Sequence, residues 1–484
     1  MLASPMLKRT LATLLLLSAP ALAQTRVPDC TADVVVAQRE GLKLDVTYRC
    51  RSTTTLQFVA DGDRVVRRVT TFRDGANREP TPSSNAWKVE PVNGVVEAHY
   101  SFDLSGYARA VDSNTSALQR GDGVLSLLSG WLLEPRGFGA NPVIDIRASV
   151  PQGLVFATGL PKVGDAWRLA GTNVRFAGYT AIGKLHYEEI AVPAPGSLRA
   201  GAKRENGTVR LALLDGFSDS GRADIVEWVK STAVAESNYW EGFTARQMLL
   251  GLIPAAGRGG VGFGRTVPGG GETVMMEVGV QVDRERLFRD WVLVHEWIHT
   301  GMPYLRGRAT WFMEGAATYV EPIIRARAGW KTEAEVWKEW TNDMPQGAGA
   351  FAVGLANASG RQNYWSGAIF MLLADIEFRR TTDGRMGLED CLKGALWQGF
   401  GGSIRAGLEE YADACDKATG TKVMSGLVDK HFNKEQPLDL AKLWSDLGVE
   451  KGGVLNDDAP LAKWRKMIVM GVRPTQRVLR PWES

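Results

Sequence analysis

The sequence is poor in histidine and cysteine and has no Cys-x-x-Cys pair. Beyond its first two dozen residues it has no apolar run long enough to cross a bilayer. The missing cysteine spacing excludes a cysteine-built zinc module. No internal repeat, low-complexity tract or block of like charge occurs, which excludes a solenoid and a disordered tail. Lys and Arg, 57 together, nearly balance the 54 Asp and Glu, leaving a formal charge of +3. Such a balance offers little for nucleic acid or anionic lipid to grip. What remains, 44% hydrophobic and 23% charged, is ordinary globular composition in a chain of 484 residues, enough for about two or three domains.

The first apolar stretch, Leu11 to Leu17, follows Lys8 and Arg9 and ends at Pro20, with Ala21-Leu22-Ala23 as a small-residue cleavage site before Gln24. It is too short and too interrupted to span a membrane, and reads as a signal peptide over residues 1–23. Without Lys8 and Arg9 the mature chain carries +1. The expected location is periplasmic or secreted, with no membrane span after removal of the leader. Export makes disulfides expected among Cys30, Cys50, Cys391 and Cys415. Cys30 and Cys50 stand symmetrically about Glu40-Gly41, between the strand-like runs Ala32 to Gln38 and Leu42 to Tyr48, so they face each other across a hairpin. That pairing leaves Cys391 with Cys415.

From Ala32 to about Lys203 short alternating runs are punctuated by Gly, Pro and Asn, as in Val143 to Ser149. This predicts a β-rich domain over 24–204, closed by a junction at Pro193, Pro195 and Gly196. A second domain, 205–484, begins with a strand (Val209 to Leu214), a helix (Arg222 to Glu236) and a strand (Gln247 to Ile253), then becomes helical. The run Gly257-x-Gly259-x-x-Gly262 formally matches a dinucleotide fingerprint, but no helix start and no Lys follow it to hold a phosphate. A flexible loop beside an active site, from Gly257 to Gly271, is the expectation, followed by a strand, Thr273 to Val282, that lines the cleft and pairs with substrate backbone.

Of the five histidines, two fall in His295-Glu296-Trp297-Ile298-His299. Leu287, Trp291, Val294 and Ile298 recur at helical steps and predict one buried stripe, with His295 and His299 one turn apart on a neighbouring face. Two imidazoles so placed suit zinc, whose catalytic sites keep a position for water, and Glu296 beside the first is placed to act as the base. Met302 and Leu305 stand where a metzincin would need Gly and His.

The third ligand is indicated by a resemblance. Trp311-x-x-Glu314-Gly315-x-Ala317-x-Tyr319 after His-Glu-x-x-His resembles the gluzincins, in which that Glu completes the zinc site, so Glu314 takes the role by resemblance. Glu321 is open between a supporting role at the site and simple exposure. Asn363-Tyr364-Trp-Ser-Gly367 resembles the Tyr-x-x-Gly helix of the glycyl aminopeptidase family and the related alanyl aminopeptidases, which makes Tyr364 the expected oxyanion donor. Gly269-Gly270-Gly271-Glu272 sits where these families carry a segment that binds the substrate's free amino group, implying a substrate-binding role for Gly270, Gly271 and Glu272. The likeness is best from Gly207 to Gly448. It departs in the fourteen residues between His299 and Glu314, in Ser366 where a Lys often stands, and in the lack of a recognisable PDZ domain.

The resemblance implies an α+β fold, a β-sandwich-like N-terminal domain before a thermolysin-like catalytic domain, and one Zn2+ per chain. The expected activity is an exported aminopeptidase acting on peptides or proteins. An endopeptidase of the same fold and a non-catalytic binding protein are the alternatives, and oligomeric state is open.

Overall fold

The computed structural model describes residues 26–170, 172–194, 206–267 and 269–471. The leader, Pro195 and Gly196 lie outside them. Along Cys30–Gln38 the even-numbered residues Ala32, Val34 and Val36 are buried, as a half-buried strand requires. Glu40 and Gly41, both at positive φ, turn the chain into Leu42–Arg51, and the register sets Cys30 opposite Cys50, joined as a disulfide.

This hairpin is central to a seven-stranded sheet ordered 162–163, 166–169, 144–149, 30–38, 42–51, 95–103, 69–74. A three-stranded sheet (86–89, 56–59, 134–136) faces it. Rings fill the space between: Tyr48 on Phe58 at 5.1 Å and Phe72 stacked on Trp87 at 4.9 Å. The N-terminal region is therefore sandwich-like. A further four-stranded sheet (155–158, 179–183, 123–127, 117–120) carries Leu125, Ala157 and Ala181 into one apolar cluster with Leu249, Ile253 and Met275 of the next sheet.

That next sheet has five strands, ordered 186–192, 207–213, 247–255, 272–279, 261–267. Two sequence expectations change here. The glycine-rich run is not all loop, because Val261–Val267 forms an antiparallel edge strand. Thr273 to Val282 is not free to pair with substrate, because Glu272–Gly279 has Gln247–Ala255 on one side and Val261–Val267 on the other. The free backbone edge belongs to Val261–Val267, where alternation hidden among glycines still suffices for a strand.

Helix α1 (Asp219–Trp240) packs under the sheet, its first turn capped by Ser218 Oγ accepting from Gly221 N at 3.1 Å. The predicted single helix through Leu287 and Ile298 is two. Asp290 is extended between Arg284–Arg289 and α2 (Val292–Ile298), and its Oδ1 accepts from Val292 N at 2.7 Å. An Asp side chain that satisfies the next helix's first N–H offers the backbone an alternative to continuing. The break turns Trp291 outward, 47% exposed, so it is not part of the buried stripe.

Helices α3 (Thr310–Arg327) and α4 (Arg361–Thr381) cross backbone to backbone. A methyl group at Gly367 would lie 1.8 Å from the Trp311 carbonyl oxygen and 2.6 Å from Gly315 Cα. A buried polar link pins the same pair: Tyr319 donates to Asp375 Oδ2 at 2.9 Å, and Asp375 Oδ1 accepts from Arg379 Nε and from Leu388 N. Glu321 is neither exposed nor at the site, but pairs with Arg325 at 2.6 Å inside α3. Helices Leu388–Trp397 and Leu408–Thr419 are joined by Cys391–Cys415. Among the described residues no helix is long and apolar enough to cross a membrane.

Since no rotamer choice relieves a Cβ clash with backbone, Gly367→Ala is expected to destabilise the protein by roughly 1–3 kcal/mol or more. A lower thermal midpoint in circular dichroism is the expected reading, and an unchanged midpoint would mean the helices separate freely.

Candidate metal centre

Helix α2 ends at Ile298 and tightens into a 3-10 turn, His299–Gly301, so His295 and His299 sit one turn apart near its C-terminus. Gly301 lets this end press against α1, since a methyl group there would lie 2.6 Å from the Trp240 ring. From α3, Glu314 reaches both imidazoles. Its Oε2 is 3.2 Å from His295 Nε2 and 3.7 Å from His299 Nε2. One ligand atom from each of the three lies within 4.8 Å of the others.

These separations fit a metal ion. Ligands at about 2.0–2.1 Å in tetrahedral array stand about 3.3–3.5 Å from one another. Two neutral imidazole nitrogens and a carboxylate oxygen match the donor set of catalytic zinc.

The charges of the trio act on one another. Burial works against charge on His299, but the Glu314 and Glu296 carboxylates outweigh it and raise its pKa. Burial likewise opposes ionisation of Glu314, yet the two imidazoles hold its carboxyl far below the usual range. His295 is buried, and its Nδ1 has no hydrogen-bond partner among the described residues.

Glu296 points at the edge strand. Thr266 Oγ1 donates to Glu296 Oε2 at 2.7 Å and is 2.8 Å from its main-chain oxygen. Gly264 leaves room for the carboxylate: a methyl group there would lie 3.0 Å from Glu296 Oε1 and 2.7 Å from Val292 Cγ1.

Tyr364, in the first turn of α4, lays its ring against that of His295 with centroids 5.9 Å apart and planes 25° from parallel. Burial, then the Glu314 and Glu296 carboxylates, push its hydroxyl up to about 12, which keeps it protonated. Trp291 meets His295 edge-on at 5.2 Å.

Glu272 opens the strand Glu272–Gly279 opposite Met248, and burial pushes its carboxyl up to about 7. Among the described residues no hydrogen bond or ion pair joins it to His295, His299 or Glu314. Gly271 lies against the backbone of Gly159, and Gly270, at φ 73°, against Leu169 and Thr172. These glycines let the N-terminal region approach the sheet closely. The structure thus gathers His295, Glu296, His299, Glu314 and Tyr364 around one point. Thr266, Gly264 and the outward Trp291 were not anticipated. Only the strand pairing brings Thr266 to Glu296, and no spacing in the sequence signals it.

No family model matches the chain, and no curated protein matches it in sequence. Solved structures do. The aminopeptidase N family protein from Idiomarina loihiensis superposes with a TM-score of 0.61 at 16% identity, over 87% of this chain and 78% of that one. The M1 zinc metallopeptidase from Deinococcus radiodurans gives 0.50 at 13% identity, over 85% of this chain and 95% of that one. At such identity the likeness establishes the fold, a gluzincin-type thermolysin-like architecture behind a β-rich region.

Because His299 must shed its proton to become a ligand and its pKa is raised, metal uptake releases protons and weakens as pH falls through that raised value. Calorimetric titration in two buffers of different ionisation enthalpy is expected to show this release. Glu314→Ala is expected to lose tight binding.

Proposed function

We propose that this chain is an exported zinc metallopeptidase, and that His295, His299 and Glu314 hold one Zn2+. The observation that carries the reading is the convergence of those three ligands with Glu296 and Tyr364 on one point. The leader-like start and the two disulfides support action outside the cytoplasm.

When bound, zinc lowers the pKa of a water toward about 7 and polarises the scissile carbonyl. Glu296 takes the proton of the attacking water and returns it to the departing amine. The Tyr364 hydroxyl, protonated and beside the trio, donates to the oxygen on which negative charge develops. Trp291, edge-on, and the ring of Tyr364, near-parallel, border His295 and hold its orientation.

An aminopeptidase of the glycyl aminopeptidase kind is the finer reading. In it Glu272 meets the free amino group of the substrate, and a carboxylate there selects exopeptidase geometry. Gly270 and Gly271 are taken up by the packing against Leu169, Thr172 and Gly159 and do not reach that group. One observation favours endopeptidase action instead: the edge strand Val261–Val267 carries no acidic residue, and Arg265 on it donates to Thr115 O at 2.8 Å.

Glu296→Gln is expected to keep one zinc per chain by elemental analysis and to lose about 10²–10⁴-fold in kcat. Tyr364→Phe is expected to lose about 10²–10³-fold. If the native zinc-loaded chain cuts no member of a peptide library, the peptidase reading fails. Comparing free with N-acetylated peptides separates the two modes, and equal cleavage of both removes the role given to Glu272.

A further inference from the structure

We propose that Thr266 is a positioning residue that sets which carboxylate oxygen of Glu296 handles the proton. This deepens the peptidase reading and rests on it for its chemical meaning.

The Thr266 hydroxyl has one proton and two acceptors within reach, Glu296 Oε2 at 2.7 Å and Glu296 O at 2.8 Å. The second contact has a plain structural use. Glu296 belongs to the last turn of α2, whose carbonyls lack partners within the helix, so a hydroxyl from outside caps one of them. The first contact has no such use, because Glu296 is partly exposed and water would serve its side chain equally well. What the contact does is fix a rotamer. A glutamate on a helix has three rotatable bonds, and an oxygen held at hydrogen-bond distance by a strand residue removes most of that freedom.

The two oxygens are thereby made unequal. Oε2 is occupied by Thr266, whereas Oε1 has no hydrogen bond among the described residues. Oε1 lies over Gly264, where any larger residue would crowd it, a methyl group already coming within 3.0 Å. Thr266 and Gly264 are two apart on the same strand, so they share the face turned to α2. One donates to the base and the other leaves its second oxygen clear. Oε1 is thus the oxygen that accepts the proton, and the edge strand contributes to catalysis through its side-chain face.

The test uses the zinc-loaded mature chain in five forms: native, Thr266→Val, Thr266→Ser, Glu296→Gln, and the double variant Thr266→Val with Glu296→Gln. Crystal structures of the first two are expected to show the Glu296 carboxylate displaced in Thr266→Val with the three zinc ligands unmoved. On a peptide cut by the native chain, kcat is expected to fall about 10- to 100-fold in Thr266→Val while KM stays within about twofold. Thr266→Ser is expected to restore most of kcat. In the Glu296→Gln background the valine should cost no further kcat, although both backgrounds lose the same few degrees of thermal midpoint with the helix cap.

An unchanged kcat, or an equal fractional loss in the Glu296→Gln background, would overturn the proposal while leaving the peptidase reading intact. If no peptide is cut by the native chain, the peptidase reading falls and the crystal pair still decides the positioning. A Glu296 carboxylate that superposes in native and Thr266→Val ends the proposal.

Discussion

The contact of Gly315 with Gly367 is the constraint on which the rest of the site depends. Glu314 precedes the first glycine, and Tyr364 stands one turn before the second, so the closest approach of α3 and α4 occurs where Glu314 and Tyr364 are brought together. Helices normally pack about 8–10 Å apart, and only glycine at both positions allows backbone contact. The Tyr319–Asp375 bond, further along the same two helices, prevents rotation about that contact. Two fixed points define the relation of two rods, and with it the separation of Glu314 from Tyr364.

Buried charge elsewhere among the helices is paired. Glu321 is neutralised by Arg325, and Glu389, held down to about 2 despite burial, by Arg327 and Lys393. Buried pairs of this kind add little net stability, but removing one partner leaves an uncompensated charge. They explain how a core can hold several ionised groups, each beside a counter-charge of its own. Glu236, whose burial raises its pKa, has no cation but accepts a hydrogen bond from Trp240 Nε1 at 2.9 Å.

The sequence was most legible where chemistry dictates spacing. Two histidines a turn apart can be read without coordinates because that spacing puts them on one helix face. Glu314, on another helix, was legible only through the resemblance of its segment to the gluzincins. The alternation around Glu40-Gly41 revealed the first hairpin for the same reason of period. Legibility ended where a side chain's partner is distant in sequence. The α2 stripe drawn through Trp291 failed because Asp290 captures the next N–H, a local competition that a hydrophobic repeat does not register. The edge strand Val261–Val267 was hidden because glycine, favoured in loops, is also what a strand needs where it passes close to a helix. Thr266 was invisible because its role is created by strand order.

The apolar cluster shared by Leu125, Ala157 and Ala181 with Leu249, Ile253 and Met275 joins the sandwich-like region to the central sheet. The close approach of Gly159 to Gly271 tightens the same seam. Synthesis proceeds from the N-terminus, so the first of these faces is made while its counterpart is still missing. For that interval a greasy surface is displayed with nothing to cover it, and such intermediates invite self-association. A chain built this way gains from being kept unfolded until all of it has been delivered, which is the condition that passage through a translocation channel would impose.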